Sequence, residues 1–317
     1  MQHLGSARLR DSLDLPIAGL PQQVNDFLLS RSIENCSKQT LETYAKRLRA
    51  FFVVAGKADL RDVHKADIER WFLHLMETDS RRGGKRSPSY IVSCYRDLHA
   101  FFNWAFEEEI ISMSPMKTIK KPKTPKVIKP FLSDQQFQKL LSVCNPKDYR
   151  GIRNRAWLSL LWTTGARFSE LADLNVNDLD WNAGRIKVMG KGAKERYVPF
   201  ANGNSKNKYE PYDAQKPVYR YLMVRPDLYS ELWIGEEKRP MTHNGLMAVT
   251  RKLYARARVS QQDMHHIFRR TWAWRMLKAG MPAKAVQLIG GWESMSMLER
   301  YVAMMDTEDA LAMISGH

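Results

Sequence analysis

Between positions 117 and 129 the chain reads Lys-Thr-Ile-Lys-Lys-Pro-Lys-Thr-Pro-Lys-Val-Ile-Lys, with lysines surrounding Pro122 and Pro125. Proline holds such a segment extended, and mutual repulsion of its cations keeps it from packing into a core. The chain therefore has to fold as separate bodies on either side of it. Its 317 residues suit that division, since a domain takes roughly 100–200 residues. The 44% apolar content is enough to bury a core in each.

Apolar periodicity makes the first body helical. Residues 1–19 carry no sustained pattern and read as a flexible lead-in, and a helical module runs over 20–116. Ser37 is placed to cap a long helix that carries Leu41, Tyr44, Leu48, Phe51 and Phe52 on one stripe and closes at Gly56. Ile68, Trp71, Phe72 and Leu75 define the inner face of the next helix. Ser87-Pro88 supplies an N-cap and a proline at the first helical position for another, with Ile91, Tyr95, Leu98, Phe101 and Phe102 facing inward.

Residues 117–130 form the linker and 131–317 the second body. There, Ser133 and Gln136 make a capping box, and a helix follows from about Gly151 to Thr163. A further helix starts at Ser169. Residues 185–188 and 196–200 flank the turn Gly190-Lys-Gly-Ala-Lys194 as a β-hairpin. Thr242 caps a helix to about Arg258, more helices follow, and residues 307–314 suggest a short amphipathic tail helix. The fold class is mainly α with a small β-hairpin or sheet, α+β.

Fifty Lys and Arg against 34 Asp and Glu leave a net charge of +16, which points to a polyanionic partner, nucleic acid or an anionic surface. The excess is shared about evenly between the two bodies. Arg81-Arg82-Gly-Gly-Lys85-Arg86 precedes a helix N-terminus, where side chains and free N–H groups present positive potential together. Arg81, Arg82, Lys85 and Arg86, with Lys120, Lys121 and Lys123 of the linker, are the candidate backbone-phosphate contacts. Three widely spaced cysteines argue against a disulfide framework and a zinc site, and fit a reducing interior. No apolar run reaches the roughly 18–20 residues of a membrane span. Cytoplasm, in association with the nucleoid, is the expected location, with no membrane partner.

The chemistry-bearing residues are cations and one tyrosine set in patterned surroundings. Arg167 stands in Thr-Gly-Ala-Arg-Phe-Ser-Glu-Leu, with Glu170 in the same box, and Lys191 stands at the hairpin tip. His266 and Arg269 are one helical turn apart, Trp292 follows Gly290-Gly291, and Tyr301 comes nine positions later. From about residue 20 to the end, these boxes in this order resemble the tyrosine recombinase (phage integrase, Xer-like) family. Trp292 is similar to the tryptophan of the Gly-Trp variant found in Cre, where most members have histidine.

The resemblance implies a helical core DNA-binding (SAM-like) domain at 20–116 and a catalytic domain with a tail helix at 131–317, closing on double-stranded DNA as a C-shaped clamp. It implies cutting and rejoining of DNA strands through a 3′-phosphotyrosyl intermediate, without metal or cofactor, in a homotetramer on paired sites with a dimer on each. Tyr301 is then the nucleophile, and Arg167 and Arg269 bind the scissile phosphate, a task suited to the planar, permanently charged guanidinium. Lys191 is the implied general acid, with Lys194 competing on position alone. His266 is a base or a second phosphate contact, and Glu170 supports the site. Trp292 either donates its indole N–H to the phosphate or only packs. The tail helix is implied to dock on a neighbouring protomer. Integration, excision and dimer resolution all use such machinery. A type IB topoisomerase, or a DNA-binding regulator without catalysis, remains the alternative.

Overall fold

In the computed structural model, which describes residues 20–80, 83–125, 130–190, 194–201, 209, 212–260, 263–296, 298 and 299, the chain divides into two units, Met1–Ile128 and Lys129–His317. The first is built from α1 (Gln22–Ile33), α2 (Lys38–Ala55), α3 (Lys65–Glu77) and α4 (Pro88–Glu107). The caps sit where the short-range signals put them. Ser37 Oγ accepts from the Thr40 amide at 3.3 Å, and Gly56 ends α2 at φ 63°, a left-handed conformation that glycine adopts without steric cost. Ser87 Oγ accepts from the Tyr90 amide at 3.2 Å, with Pro88 behind it.

Aromatic rings fill the centre of this unit. Phe27 meets Phe101 edge-on at 5.3 Å, and Phe51 meets Trp71 at 5.5 Å, the geometry favoured by ring quadrupoles. Tyr95 Oη donates to the Ile119 carbonyl at 3.0 Å. The first turns of the lysine-rich segment are thereby held against α4, while Lys117, Lys120, Lys121 and Lys123 remain exposed.

The second unit contains α5 (Asp134–Ser142), α6 (Tyr149–Thr163), α7 (Phe168–Ala172), β1 (Leu179–Asp180), β2 (Arg185–Met189), β3 (Glu195–Pro199), α8 (Gln215–Leu222), α9 (His243–Arg256), α10 (Met264–Lys278) and α11 (Ala283–Gly290). The capping box of α5 forms as read, with Ser133 Oγ accepting from the Gln136 amide at 3.2 Å. Helix α6 is buried almost all the way round, and its buried Arg153 is satisfied by the Ile234 carbonyl at 3.1 Å and the Asn154 side chain, as a buried polar group must be. Its Trp157 indole donates to Thr250 Oγ1 of α9 at 3.0 Å. A smaller cluster, with Trp272, Met276, Val286 and Trp292 among its members, packs α10 against α11.

The fold is mainly helical with one small antiparallel sheet, the class expected from the sequence. The anticipated hairpin pairs Ile186 with Val198 and Val188 with Arg196, and β1 adds a third strand through Leu179 opposite Ile186. Two residues are too short for an alternation signal, so β1 exists only through its partner. Three other details differ from the pattern reading. Helix α7 begins at Phe168 rather than Ser169, because Arg167 and Glu170 form the cap. Helix α8 carried no start signal of its own. Helix α9 ends at Arg256, and Arg258 turns the chain at φ 53°. Among the described residues, no helix is long and apolar enough to cross a membrane.

Candidate active site

The site begins where α6 stops. Past Thr163 the chain turns through Gly165 at φ 63°, and a Cβ there would lie 2.1 Å from the Trp272 ring, so only glycine fits. Two residues on, Arg167 occupies the N-cap of α7, and Glu170 at the third helical position accepts from the Arg167 amide at 2.7 Å. The same carboxylate accepts from Arg167 Nη1 at 2.7 Å. Arg196, on β3, places Nη1 and Nη2 at 2.8 and 2.7 Å from the two Glu170 oxygens. Burial alone raises the pKa of Glu170, but the Arg196 guanidinium and the Arg167 donors outweigh it and bring the carboxyl down to about 2. A buried carboxylate this well paired stays ionised.

Helices α10 and α11 bring in the other half. Arg269 is 5% exposed; its Nη1 donates to the Gly165 carbonyl at 2.8 Å, and its guanidinium lies 3.9 Å from the centre of the Trp292 ring. Trp272 stacks near Trp292 at 6.5 Å and 17°. Gly291 closes α11 in the left-handed region at φ 67°. Arg167 Nη2 donates to the Gly291 carbonyl at 3.0 Å, and Arg196 Nε donates to the Ile289 carbonyl at 2.9 Å. His266, one turn before Arg269 on α10, is exposed.

Arg167, Glu170, Arg269 and Trp292 are thus joined through shared neighbours. Three guanidinium groups against one carboxylate leave this cluster with an excess of two positive charges, suited to a phosphodiester anion. Trp292 is buried and packs its ring on Arg269 and Trp272. Lys191 and Tyr301 lie outside the described residues, as do Arg81, Arg82 and the tail segment 307–314. Lys85 donates to the Glu77 carbonyl, and Arg86 donates to the Thr78 carbonyl at 2.6 Å and to the Thr78 hydroxyl. Both cations cover carbonyls at the end of α3. Arg196 is the residue that sequence reasoning passed over. It stood within the hairpin with no role assigned, and the pairing with buried Glu170 gives it one.

A mainly helical fold with a small three-stranded sheet thus gathers Arg167, Arg196 and Arg269 around a tight Gly-Gly-Trp turn, a cationic arrangement suited to binding a phosphate. Residues 130–308, more than half of the chain, match the phage integrase family, and the chain belongs to that family of tyrosine-type site-specific recombinases. It is 27% identical over 300 residues to the tyrosine recombinase XerC of Staphylococcus carnosus, covering 92% of this chain and 95% of the relative. It is 29% identical over 278 residues to the tyrosine recombinase XerD of Shewanella oneidensis, covering 85% and 87%. In fold it is similar to the Tn1549 transposon integrase in complex with circular intermediate DNA, with a TM-score of 0.69 at 22% identity over 92% of this chain and 98% of that one. A lambda integrase dimer bound to a COC′ core site gives a TM-score of 0.69 at 14% identity, over 88% and 94%.

Proposed function

We propose that this recombinase cuts and rejoins double-stranded DNA by transesterification at paired sites. The observation that carries the reading is the convergence of Arg167, through Glu170 and the Gly291 carbonyl, and of Arg269, through Gly165 and Trp292, on one turn of chain. Nine residues past that turn's Trp292 comes Tyr301.

In the proposed reaction the Tyr301 hydroxyl attacks the scissile phosphorus and its proton passes to His266. A P–O bond to tyrosine forms as the bond to the 5′ oxygen breaks, and Lys191 gives that oxygen a proton. Arg167 and Arg269 hold the non-bridging oxygens, whose charge grows in the transition state. Attack by the 5′-hydroxyl of another strand reverses the chemistry, so no bond energy is lost to water and no cofactor is called on.

Residues 20–116 are proposed as the core DNA-binding domain and 131–317 as the catalytic domain, closing on DNA as a clamp. The exposed Lys120, Lys121 and Lys123 follow the DNA backbone between them. The working assembly is a homotetramer on paired sites with a dimer on each. A lambda integrase of the same fold, at 14% identity and a TM-score of 0.68, is a tetramer bound to a Holliday junction. Cation-dominated contacts give binding a steep salt dependence.

The test is a nicked candidate site. The wild-type protein forms a covalent protein–DNA adduct with a free 5′-hydroxyl, and Tyr301→Phe forms none. Absence of an adduct on every site bound with specificity overturns the enzymatic reading in favour of a regulator. An adduct with supercoil relaxation but no joint molecules favours a topoisomerase.

A further inference from the structure

We propose that Arg196 is a positioning residue for strand cleavage, holding the phosphate-binding Arg167 and the turn that leads to the nucleophile in one register. The inference rests on the recombinase reading for its chemistry and on geometry for its substance.

Arg196 uses its whole guanidinium at once. Nη1 and Nη2 grip the two oxygens of Glu170 at 2.8 and 2.7 Å, and Nε reaches the Ile289 carbonyl at 2.9 Å. Arg167 does the same from the other side, with Nη1 on Glu170 and Nη2 on the Gly291 carbonyl. The last turn of α11 is therefore held by two arginines that share one buried carboxylate. Gly291 shows how close the contact is, since a Cβ there would lie 2.8 Å from Arg196 Nε. The side chain of Glu170 is 3% exposed and that of Arg196 15%, against 33% for Arg167. Arg167 is the member of the pair that reaches solvent, where a phosphate arrives. Arg196 is the member held behind it.

This division of labour has a physical cause. If Arg167 alone neutralised Glu170, its guanidinium would have to face the carboxylate with both terminal nitrogens. Arg196 supplies the bidentate grip, and Arg167 gives Glu170 one terminal nitrogen and Gly291 the other. Lysine cannot reproduce the three-point contact, because a single ammonium lacks the planar fork. Loss of that contact shifts Arg167 and the Gly291–Trp292 backbone relative to each other, and a misplacement of about 1 Å costs on the order of 10²-fold in rate.

The experiment uses the full chain with Arg196→Lys and Arg196→Met. The first readout needs no activity: amide exchange at Gly291 and Trp292, whose N–H groups bond to the Leu288 and Gln287 carbonyls. Exchange there rises about tenfold in both variants while α6 and α9 stay within about threefold of wild type. The second readout is adduct formation on a nicked site, which falls about 10²-fold with DNA affinity within about twofold. The third is a substrate with sulfur as the bridging 5′ atom, whose leaving group needs no general acid. It does not restore the variants, because the fault lies in the phosphate clamp and not in protonation.

Unchanged exchange at Gly291 and Trp292 overturns the proposal. So does adduct formation within about threefold of wild type, and so does rescue by the sulfur-bridged substrate, which would assign Arg196 to the hairpin tip. If the wild-type protein forms no adduct, the recombinase reading fails, and the exchange measurement still decides whether Arg196 holds the turn.

Discussion

The guanidinium of Arg269 lies 3.9 Å from the centre of the Trp292 ring, while its Nη1 is tied to the Gly165 carbonyl at 2.8 Å. One face of a tryptophan and one main-chain oxygen thus orient a nearly buried cation. Trp292 sets its flat aromatic face against that cation, and a buried cation–π contact of this kind contributes up to about 2 kcal/mol.

Replacing that platform separates its two roles. Trp292→Ala removes the ring from a packed cluster and should lower unfolding free energy by about 3 kcal/mol, with adduct formation falling at least about 10²-fold. Trp292→Phe keeps an aromatic face and should retain most of both. Urea unfolding and a nicked-site assay on the two variants, side by side, read the difference. Equal loss in Phe and Ala would show that the indole N–H matters more than the ring face.

Gly165→Ala tests the turn that carries the Arg269 carbonyl partner. The new methyl meets the Trp272 ring at 2.1 Å in a backbone at φ 63°, so strain and overlap add. Destabilisation of about 3 kcal/mol or more is expected, visible as a lowered thermal midpoint. Gly56→Ala is the control, since that glycine shares the left-handed conformation with nothing within 4 Å, and its cost should be limited to about 1 kcal/mol.

The acid limb of stability should carry the signature of Glu170. Its folded pKa is about 2, below the ordinary carboxyl value of 4.5. The stabilisation it contributes is therefore complete above about pH 5 and is lost as pH falls from there towards 2. Glu170→Gln should be less stable at neutral pH, because Arg167 and Arg196 lose their buried counter-charge, a loss of about 3–5 kcal/mol. It should also show a shallower decline between pH 5 and 3. Urea midpoints across that range measure both effects, and parallel curves for variant and wild type would contradict the assignment.

Arg270 holds the start of the second unit on the helix that carries His266 and Arg269. Its Nε and Nη2 donate to the Pro130 carbonyl at 3.1 and 2.7 Å, and its Nη1 pairs with Asp263 at 2.8 Å. Beside it, Thr271 Oγ1 accepts from the Leu132 amide at 2.9 Å. Arg270→Gln should cost about 2 kcal/mol and accelerate exchange of the Leu132 amide. Protection at Leu132 equal to wild type would show that Thr271 suffices.

Local signals were legible because their partners are three residues apart. Ser37 with Thr40, Ser87 with Tyr90 and Ser133 with Gln136 each carry donor and acceptor within one turn, so the helices they start are readable without a fold. Arg86 was not legible in this way. Its cationic loop suggested a phosphate contact, yet its side chain turns back to the Thr78 carbonyl, a choice set by how α3 ends. Lys191 and Tyr301, read from their boxes alone, lie outside the described residues.

From sequence come the division at the lysine-rich segment, the helix starts, the hairpin and the identity of the boxes, because each depends on spacing along one short stretch. Tertiary structure alone decided that Glu170 is shared by Arg167 and Arg196, that Trp292 supports Arg269, and that Gly165 must be glycine to clear Trp272. Arg167 is a local partner of Glu170, three positions away, but Arg196 and Glu170, Trp292 and Arg269, and Gly165 and Trp272 stand between 23 and 107 positions apart. A buried carboxylate has to be neutralised, but which cation does so depends on which elements the packing of the core brings together.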